Sequence, residues 1–261
     1  MLTFGSLFSG IGGFDLGFER TGMECKWQVE IDEVCNKVLL KHWPNVVRYK
    51  DVREVGKSNL EPVDVICVGF PCQDVSLAGL RKGLEGKRST LWSEFYRIVC
   101  EIRPRWVVIE NVRGLFTSDD GRFFAKILYE LSIIGYDAEW EVIRASAFGL
   151  RHKRDRVFII AYPNGSGNNS DVGDRRIFSK WSKKSQEWRT NWIEFILQPG
   201  EVAPSKWIQK TSMDNPESTL IRVDDGIQFG LVKNRLKQCG NAVCVPIIEW
   251  IGNRIVEASN V

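Results

Sequence analysis

No two cysteines in this chain have the Cys-x-x-Cys spacing of a zinc knuckle or redox motif, no apolar run is long enough to cross a bilayer, and neither sign of charge dominates. Each absence narrows the field. The seven cysteines stand at 25, 35, 67, 72, 100, 239 and 244, an odd number. Several lie in apolar runs such as Val-Ile-Cys67-Val and Ile-Val-Cys100, where a buried thiol behaves as a small hydrophobe. A disulfide framework is therefore disfavoured, a reducing compartment fits, and no metal ligand set is expected. The opening Met-Leu-Thr-Phe-Gly lacks the basic stretch of a signal peptide, so the expectation is a soluble, cytoplasmic protein without a membrane partner. With 36 Lys and Arg against 33 Asp and Glu, the net charge of +3 admits a polyanionic partner without demanding one.

What is present is a chain of 261 residues, 43% hydrophobic, with room for one catalytic domain and a small extra lobe. Residues 2–8 read as a buried strand, 13–21 as a helix, 25–31 as a strand and 32–42 as a helix that Pro44 ends. Residues 63–69 form another apolar strand, followed by a Gly- and Lys-rich loop. A helix over 90–102 leads to a strand at 106–110, then come a helix at 121–134 and strands at 136–144 and 155–162. Strands alternating with helices at this spacing indicate an α/β fold, a parallel sheet covered on both faces. The short link between the last two strands predicts that an antiparallel strand closes the sheet.

The composition changes after Tyr162. A loop, Asn164-Gly165-Ser166-Gly167-Asn168-Asn169-Ser170, opens a segment in which Trp181, Trp188, Trp192 and Trp207 are interleaved with Arg175, Arg176, Lys180, Lys183, Lys184, Arg189, Lys206 and Lys210. Such a mixture suits an irregular lobe facing a polyanion, or a surface insertion whose tryptophans make their own small core. Around Pro246 a helical period returns. The boundaries expected are 1–162 for a catalytic domain, 163–232 for the lobe and 233–261 for a segment that returns to the first.

Four stretches carry chemistry. Phe8-Ser9-Gly10-Ile11-Gly12-Gly13-Phe14 follows the first strand, where glycines permit a tight turn and close approach to a nucleotide-like ligand. Asp15 breaks the Gly-x-Gly-x-x-Gly pattern of dinucleotide sites. Glu30, about 20 residues on, is placed for ribose hydroxyls. A nucleoside cofactor without a pyrophosphate fits both facts, as does a plain strand–helix turn. In Gly69-Phe70-Pro71-Cys72-Gln73, Cys72 emerges at the C-terminal end of a strand, the edge where open α/β sheets bind ligands, and a thiolate there can act as a nucleophile. Pro71 stiffens the turn. Glu110-Asn111-Val112 ends a second apolar strand and puts a carboxylate at the same edge. Finally, Arg154 and Arg156 share one side of a strand and would lower a nearby thiol's pKa or neutralise oxygens of a base or phosphate. A solvated charge run would also explain them.

In this order, with Gly240-Asn241-Ala242-Val243 near the end, the motifs resemble the DNA cytosine-C5 methyltransferases, over residues 4–162 and 233–258. The resemblance implies a Rossmann-like sandwich dependent on S-adenosylmethionine, with a small target-recognition lobe and S-adenosylhomocysteine as product. It implies Cys72 as the nucleophile on cytosine C6, Glu110 at N3, Arg156 at O2, and Arg154 supporting Glu110 or the thiolate. The cofactor residues carried over are Phe8, Gly10, Gly12, Glu30, Ile31, Asp51, Val52, Pro71, Leu91, Asn241, Ala242 and Val243. Gln73, Ser76 and Arg88 fall in the loop that would close over DNA. Double-stranded DNA is the implied partner of a monomer, with a cognate restriction endonuclease alongside.

The sequence departs from the family at His152, where Gln is common, and lacks the usual Arg-Glu before the Gly-Asn segment; Leu220-Ile221-Arg222-Val223-Asp224-Asp225-Gly226 stands there instead. Two rivals remain: the tRNA-methylating branch, whose signature after Glu-Asn-Val is not matched by Arg113-Gly114-Leu115, and a non-catalytic relative, which should have lost Cys72 or Glu110. A nicotinamide oxidoreductase is disfavoured by Asp15 and by the lack of a Tyr–Lys or His-based hydride-transfer motif.

Overall fold

The computed structural model describes residues 1–70, 87–150, 154–164, 177–178 and 241–259, with the side chains of 87–90 excepted. In chain order the elements are β1 (Thr3–Leu7), α1 (Gly13–Glu19), β2 (Glu24–Val29), α2 (Glu33–His42), β3 (Val47–Tyr49), β4 (Val65–Val68), α3 (Lys87–Ile102), β5 (Trp106–Val112), α4 (Arg122–Ile133), β6 (Tyr136–Arg144), β7 (Asp155–Pro163) and α5 (Val245–Ser259). The strands form one sheet in the order β3-β2-β1-β4-β5-β7-β6.

Burial on both faces follows from the two-residue period of a strand. In β4, Val65 and Cys67 face one core while Ile66 and Val68 face the other. Trp106 and Val108 in β5, and Phe158 and Ile160 in β7, join the first core, which α1 and α5 cover. Val107, Ile109, Val157 and Ile159 join the second, beneath α3 and α4. The result is an α/β sandwich, as the alternation of elements implies.

Helix placement has local causes. Asp32 caps α2 by accepting the backbone N–H of Val34 (2.8 Å) and Cys35 (3.3 Å). Helix α1 packs on α5 because Gly17 and Gly252 remove side chains there: a Cβ on Gly17 would lie 2.5 Å from the Ile248 Cβ, and one on Gly252 would lie 2.9 Å from Phe18. The chain's last helix is also tied back to β5, since the Trp106 indole donates to Ser259 Oγ at 3.0 Å.

Two expectations need correction. Residues 47–49 form a strand that sequence pattern misses, because three residues after Pro44 are too few to show a period. Strand β7 is the antiparallel one, but it does not close the sheet. It lies between β5 and β6, antiparallel to both, and β6 is the edge. The reason is register: β5 pairs along almost its whole length with β7, which places Val157 to Ala161 between two neighbours and leaves the edge to the more polar β6.

Candidate active site

The antiparallel course of β7 decides what meets at the carboxyl edge of the parallel strands. Its first residues lie beside the last residues of β5, with Arg156 opposite Val112 and Phe158 opposite Glu110. Glu110, Arg156 and Arg154 have the parity of Val108 and Phe158, the face that α1 and α5 cover. Arg156 Nε accordingly stands 2.9 Å from Glu110 Oε1, and Arg154 Nη2 stands 3.9 Å from the same oxygen. The Arg156 guanidinium is held from behind by its Nη1 donating to the Asp155 carbonyl at 2.9 Å.

Glu110 is 8% exposed. Burial holds its carboxyl above the ordinary carboxylate range, although the charges of Arg156 and Arg154 pull the other way. The other oxygen, Oε2, faces the chain end of β4: a Cβ placed on Gly69 would lie 3.5 Å from it. Glu110 is thus brought against the residue three positions before Cys72. Phe70 fixes this exit by burying its ring edge-on against Trp92 and Phe123, at 6.2 and 6.4 Å between centroids. Pro71, Cys72, Gln73, Ser76 and His152 lie outside the described residues, as do the side chain of Arg88 and the tryptophans and cations of the 163–232 segment.

The glycine loop and Glu30 form a second group at this edge. Phe8 and Gly10 both take left-handed backbone, at φ 52 and 56, and Gly12 has φ 84. Gly12 is fixed to its residue type twice over, because a Cβ would also strike the Trp43 ring at 2.3 Å. The buried Glu30 carboxylate ties the loop to the start of α2: Oε2 accepts the Gly10 N–H at 2.7 Å and Oε1 accepts the Asp32 N–H at 2.8 Å. Asn36 Nδ2 donates to the Glu30 carbonyl at 2.7 Å. Next to this carboxylate Ile31 is 65% exposed, and the space that a Cβ on Gly10 would occupy is empty.

The remaining sequence candidates lie on several elements. Asp51 caps a short turn, Val52–Glu54, and its carboxylate takes both the Arg53 backbone N–H (3.0 Å) and the Arg53 guanidinium. Those bonds hold its pKa down at about 2. Val52 is buried, and Leu91 packs half-buried on the α3/α4 core. Asn241 is exposed and Ala242 half-buried, while Val243 lies against α1, where a Cβ on Gly13 would come within 2.8 Å of Val243 Cγ1.

Sequence reasoning missed Asp32 as a member of these groups. It read Asp15 only as a broken motif. In the structure Asp15 is fully buried beneath the loop, accepting from Gln28 Nε2 at 2.8 Å and Ser6 Oγ at 3.2 Å, with Arg48 in turn donating to Gln28 Oε1 at 3.0 Å. A fully buried side chain with several polar neighbours on other elements leaves no local signal. Among the described residues no cluster of His, Cys, Asp and Glu could hold a metal ion, and no helix is long and apolar enough to cross a membrane.

Comparison with known proteins adds a family to this geometry. Residues 2–217 match the model of the C-5 cytosine-specific DNA methylases. The chain is 33% identical over 168 residues to the Type II methyltransferase M.DsaV of Dactylococcopsis salina, covering 64% of this chain and 48% of that protein. It is 36% identical over 168 residues to the Type II methyltransferase M.Bsp6I of Bacillus sp. (strain RFL6), covering 63% and 53%. The chain thus spans about half the length of these curated relatives. A protein of E. coli encoded within a prophage superposes with a TM-score of 0.53 at 30% identity over 62% of this chain and 47% of that one.

Proposed function

The chain belongs to the C-5 cytosine-specific DNA methylase family, and on that premise we propose that it methylates C5 of a cytosine flipped out of double-stranded DNA, using S-adenosylmethionine. One observation carries the reading beyond family membership. Glu110 is a buried carboxyl paired with Arg156 at 2.9 Å, and its second oxygen faces Gly69, three residues before Cys72 in the sequence.

The residues around Glu30 suit the cofactor. A buried carboxylate with two backbone N–H donors keeps lone pairs for ribose hydroxyls. Ile31 offers an exposed apolar surface for an adenine ring, and the open space at Gly10 admits the backbone approach of the methionine part. Asn241, Ala242 and Val243, returned to α1 by α5, would line the same cavity, with Phe8, Gly12, Val52, Pro71 and Leu91. Asp51 meets the adenine amino group only with its Arg53 partner in attendance. S-adenosylmethionine, when bound, supplies an electrophilic methyl group.

The chain's own groups do the rest. Cytosine C5 is a poor nucleophile, so the Cys72 thiolate first adds to C6. Glu110 delivers a proton to N3, preventing negative charge from collecting on the ring. That role needs a carboxyl that stays protonated near neutral pH, which burial of Glu110 favours. Arg156 neutralises O2, and Arg154 steadies Glu110. After C5 has gained the methyl group, its proton passes to water, the Cys72 thiolate departs and N3 returns its proton to Glu110, which restores the aromatic ring. Taking the base out of the stack costs a few kcal/mol; Gln73, Ser76 and Arg88, the last placed by the structure in the first turn of α3 and not in a loop, would offset this by contacts to DNA. A restriction endonuclease as counterpart is part of the same proposal, in keeping with relatives named Type II methyltransferases.

Bisulfite sequencing of DNA from cells expressing the chain tests both activity and target. The expected result is 5-methylcytosine at one short sequence, absent with Cys72→Ala. Radiolabel incorporated into total tRNA but not duplex DNA would overturn it in favour of the tRNA-methylating branch.

A further inference from the structure

Glu139 lies on the edge strand β6, on the parity that faces α5, and is 5% exposed. A carboxylate so buried is costly unless its oxygens are satisfied. Here both are, by consecutive backbone donors from a distant part of the chain: Oε1 accepts the N–H of Ile177 and Oε2 accepts that of Phe178 at 3.0 Å. Bonds from N–H groups to an ionised carboxylate are among the stronger ones available to a protein.

The same two residues are gripped from α5. Arg254 Nε donates to the Ile177 carbonyl at 3.0 Å, and its guanidinium lies 4.8 Å over the Trp250 ring. Phe178 stacks on that indole at 6.1 Å and 23°, and Phe148 meets it edge-on at 5.8 Å. Ile177 and Phe178 are 1% and 3% exposed. Strand β7 ends at Pro163, so the chain leaves the sheet and is fastened to it again at 177–178.

We propose that Glu139 is a positioning residue for DNA binding: by clamping Ile177 and Phe178 against α5, it fixes the chain immediately before the cationic, tryptophan-rich segment 179–232, whose composition suits a nucleic acid. The role rests on the reading above, in which that segment contacts DNA. Chain that is already fixed at 177–178 adds no ordering entropy for binding to offset. The boundary of the recognition lobe then moves from residue 163 to residue 179.

The test compares the full chain with Glu139→Ala, Glu139→Gln and Arg254→Met. Readouts are amide exchange at Ile177 and Phe178, affinity for duplex DNA by fluorescence anisotropy, affinity for S-adenosylmethionine by calorimetry, and KM for DNA against kcat. Wild type should protect both amides. Glu139→Ala should lose that protection and weaken DNA affinity about tenfold, a part of what its two lost hydrogen bonds to a charged group could contribute, with cofactor affinity and kcat within about twofold. Glu139→Gln keeps one acceptor and should fall between. Arg254→Met leaves the carboxylate in place, so it serves as the second variant if Glu139→Ala does not fold; a smaller DNA defect in the same direction is expected. Unprotected amides in wild type would overturn the clamp. Lost protection with unchanged DNA affinity would overturn its role, and so would a parallel loss of cofactor affinity. A wild-type chain that keeps both amides protected but binds no duplex DNA would instead sink the reading on which the role depends.

Discussion

Arg156 Nε and Glu110 Oε1, 2.9 Å apart, come from neighbouring strands that run in opposite directions. Had β7 been parallel to β5, its first residues would lie at the amino edge of the sheet, a full strand length from the ligand-binding edge. The reversal is therefore what turns an Arg-x-Arg sequence into a partner for the carboxyl at the end of β5. It also explains why Glu110 can be buried, since its charge when ionised has two guanidinium groups for company.

This pair predicts a pH effect of definite sign. Glu110 must be protonated to donate to N3, so kcat should decline as pH rises through its elevated pKa. Arg156 lowers that pKa. Arg156→Met should therefore reduce kcat by about 10²–10³, yet move the alkaline limb of the pH–kcat profile upward. Glu110→Gln should remove the limb along with most of the activity. A limb that moves down in Arg156→Met, or stays put, would show that some other group controls it.

Glu30 should control cofactor affinity more than turnover. Glu30→Ala removes the acceptor for the Gly10 and Asp32 N–H groups together with the ribose partner, whereas Glu30→Gln retains one oxygen. Each hydrogen bond to a charged group contributes about 1.5–3 kcal/mol. Calorimetry should show S-adenosylmethionine binding weakened by about 10–100-fold in Glu30→Ala, less in Glu30→Gln, and kcat at saturating cofactor changed far less. An unaltered affinity in both variants would remove Glu30 from the cofactor site.

Much of this molecule is legible from its sequence because the information is local. Apolar strands alternating with helices reveal the sandwich, and Glu110, Arg154 and Arg156 stand at strand ends that the pattern itself marks. What was not legible depends on contacts between distant segments. Val47–Tyr49 is a strand only because β2 pairs with it. Glu139 shares its parity with the buried Ile143, a clue that it faces inward, but nothing near it in sequence names Ile177 and Phe178 as its partners. Asp15 interrupts a glycine motif, and only the assembled β1, β2 and α1 show what it does.

Asp15 makes the fold's stability depend on pH. Its carboxyl is fully buried, and burial lifts its pKa from 3.8 to about 6 despite hydrogen bonds from Gln28, Ser6 and Cys25. The folded state holds the proton more tightly than the unfolded state, so the stability this group contributes is complete below about pH 3.8 and lost as pH rises through about 6. The loss amounts to about 3 kcal/mol. Asp15→Asn keeps an oxygen for Gln28 and carries no charge. In thermal denaturation, its Tm relative to wild type should climb by on the order of 5–10 °C between pH 4 and 6 and level off above. A constant difference across that range would mean that Asp15 is not titrating in the fold.

The return of the C-terminal segment is open to a double-mutant test at Gly13 and Val243. An alanine Cβ at Gly13 would lie 2.8 Å from Val243 Cγ1 and 3.0 Å from the Val243 carbonyl oxygen. The first obstacle is a side chain that Val243→Ala deletes; the second is backbone that no substitution at 243 removes. Gly13→Ala alone should cost about 1–3 kcal/mol, the usual price of overpacking. It should also weaken cofactor binding, because it pushes Asn241 and Ala242 away from the loop beside Gly12. Val243→Ala alone loses only modest packing, since the side chain is half-buried. Together the two should be less destabilising than their sum, with a coupling of about 0.5–2 kcal/mol in urea denaturation, but should not return to wild type because the carbonyl contact persists. Strict additivity would place Val243 elsewhere than against α1, and with it the Gly240–Val243 segment.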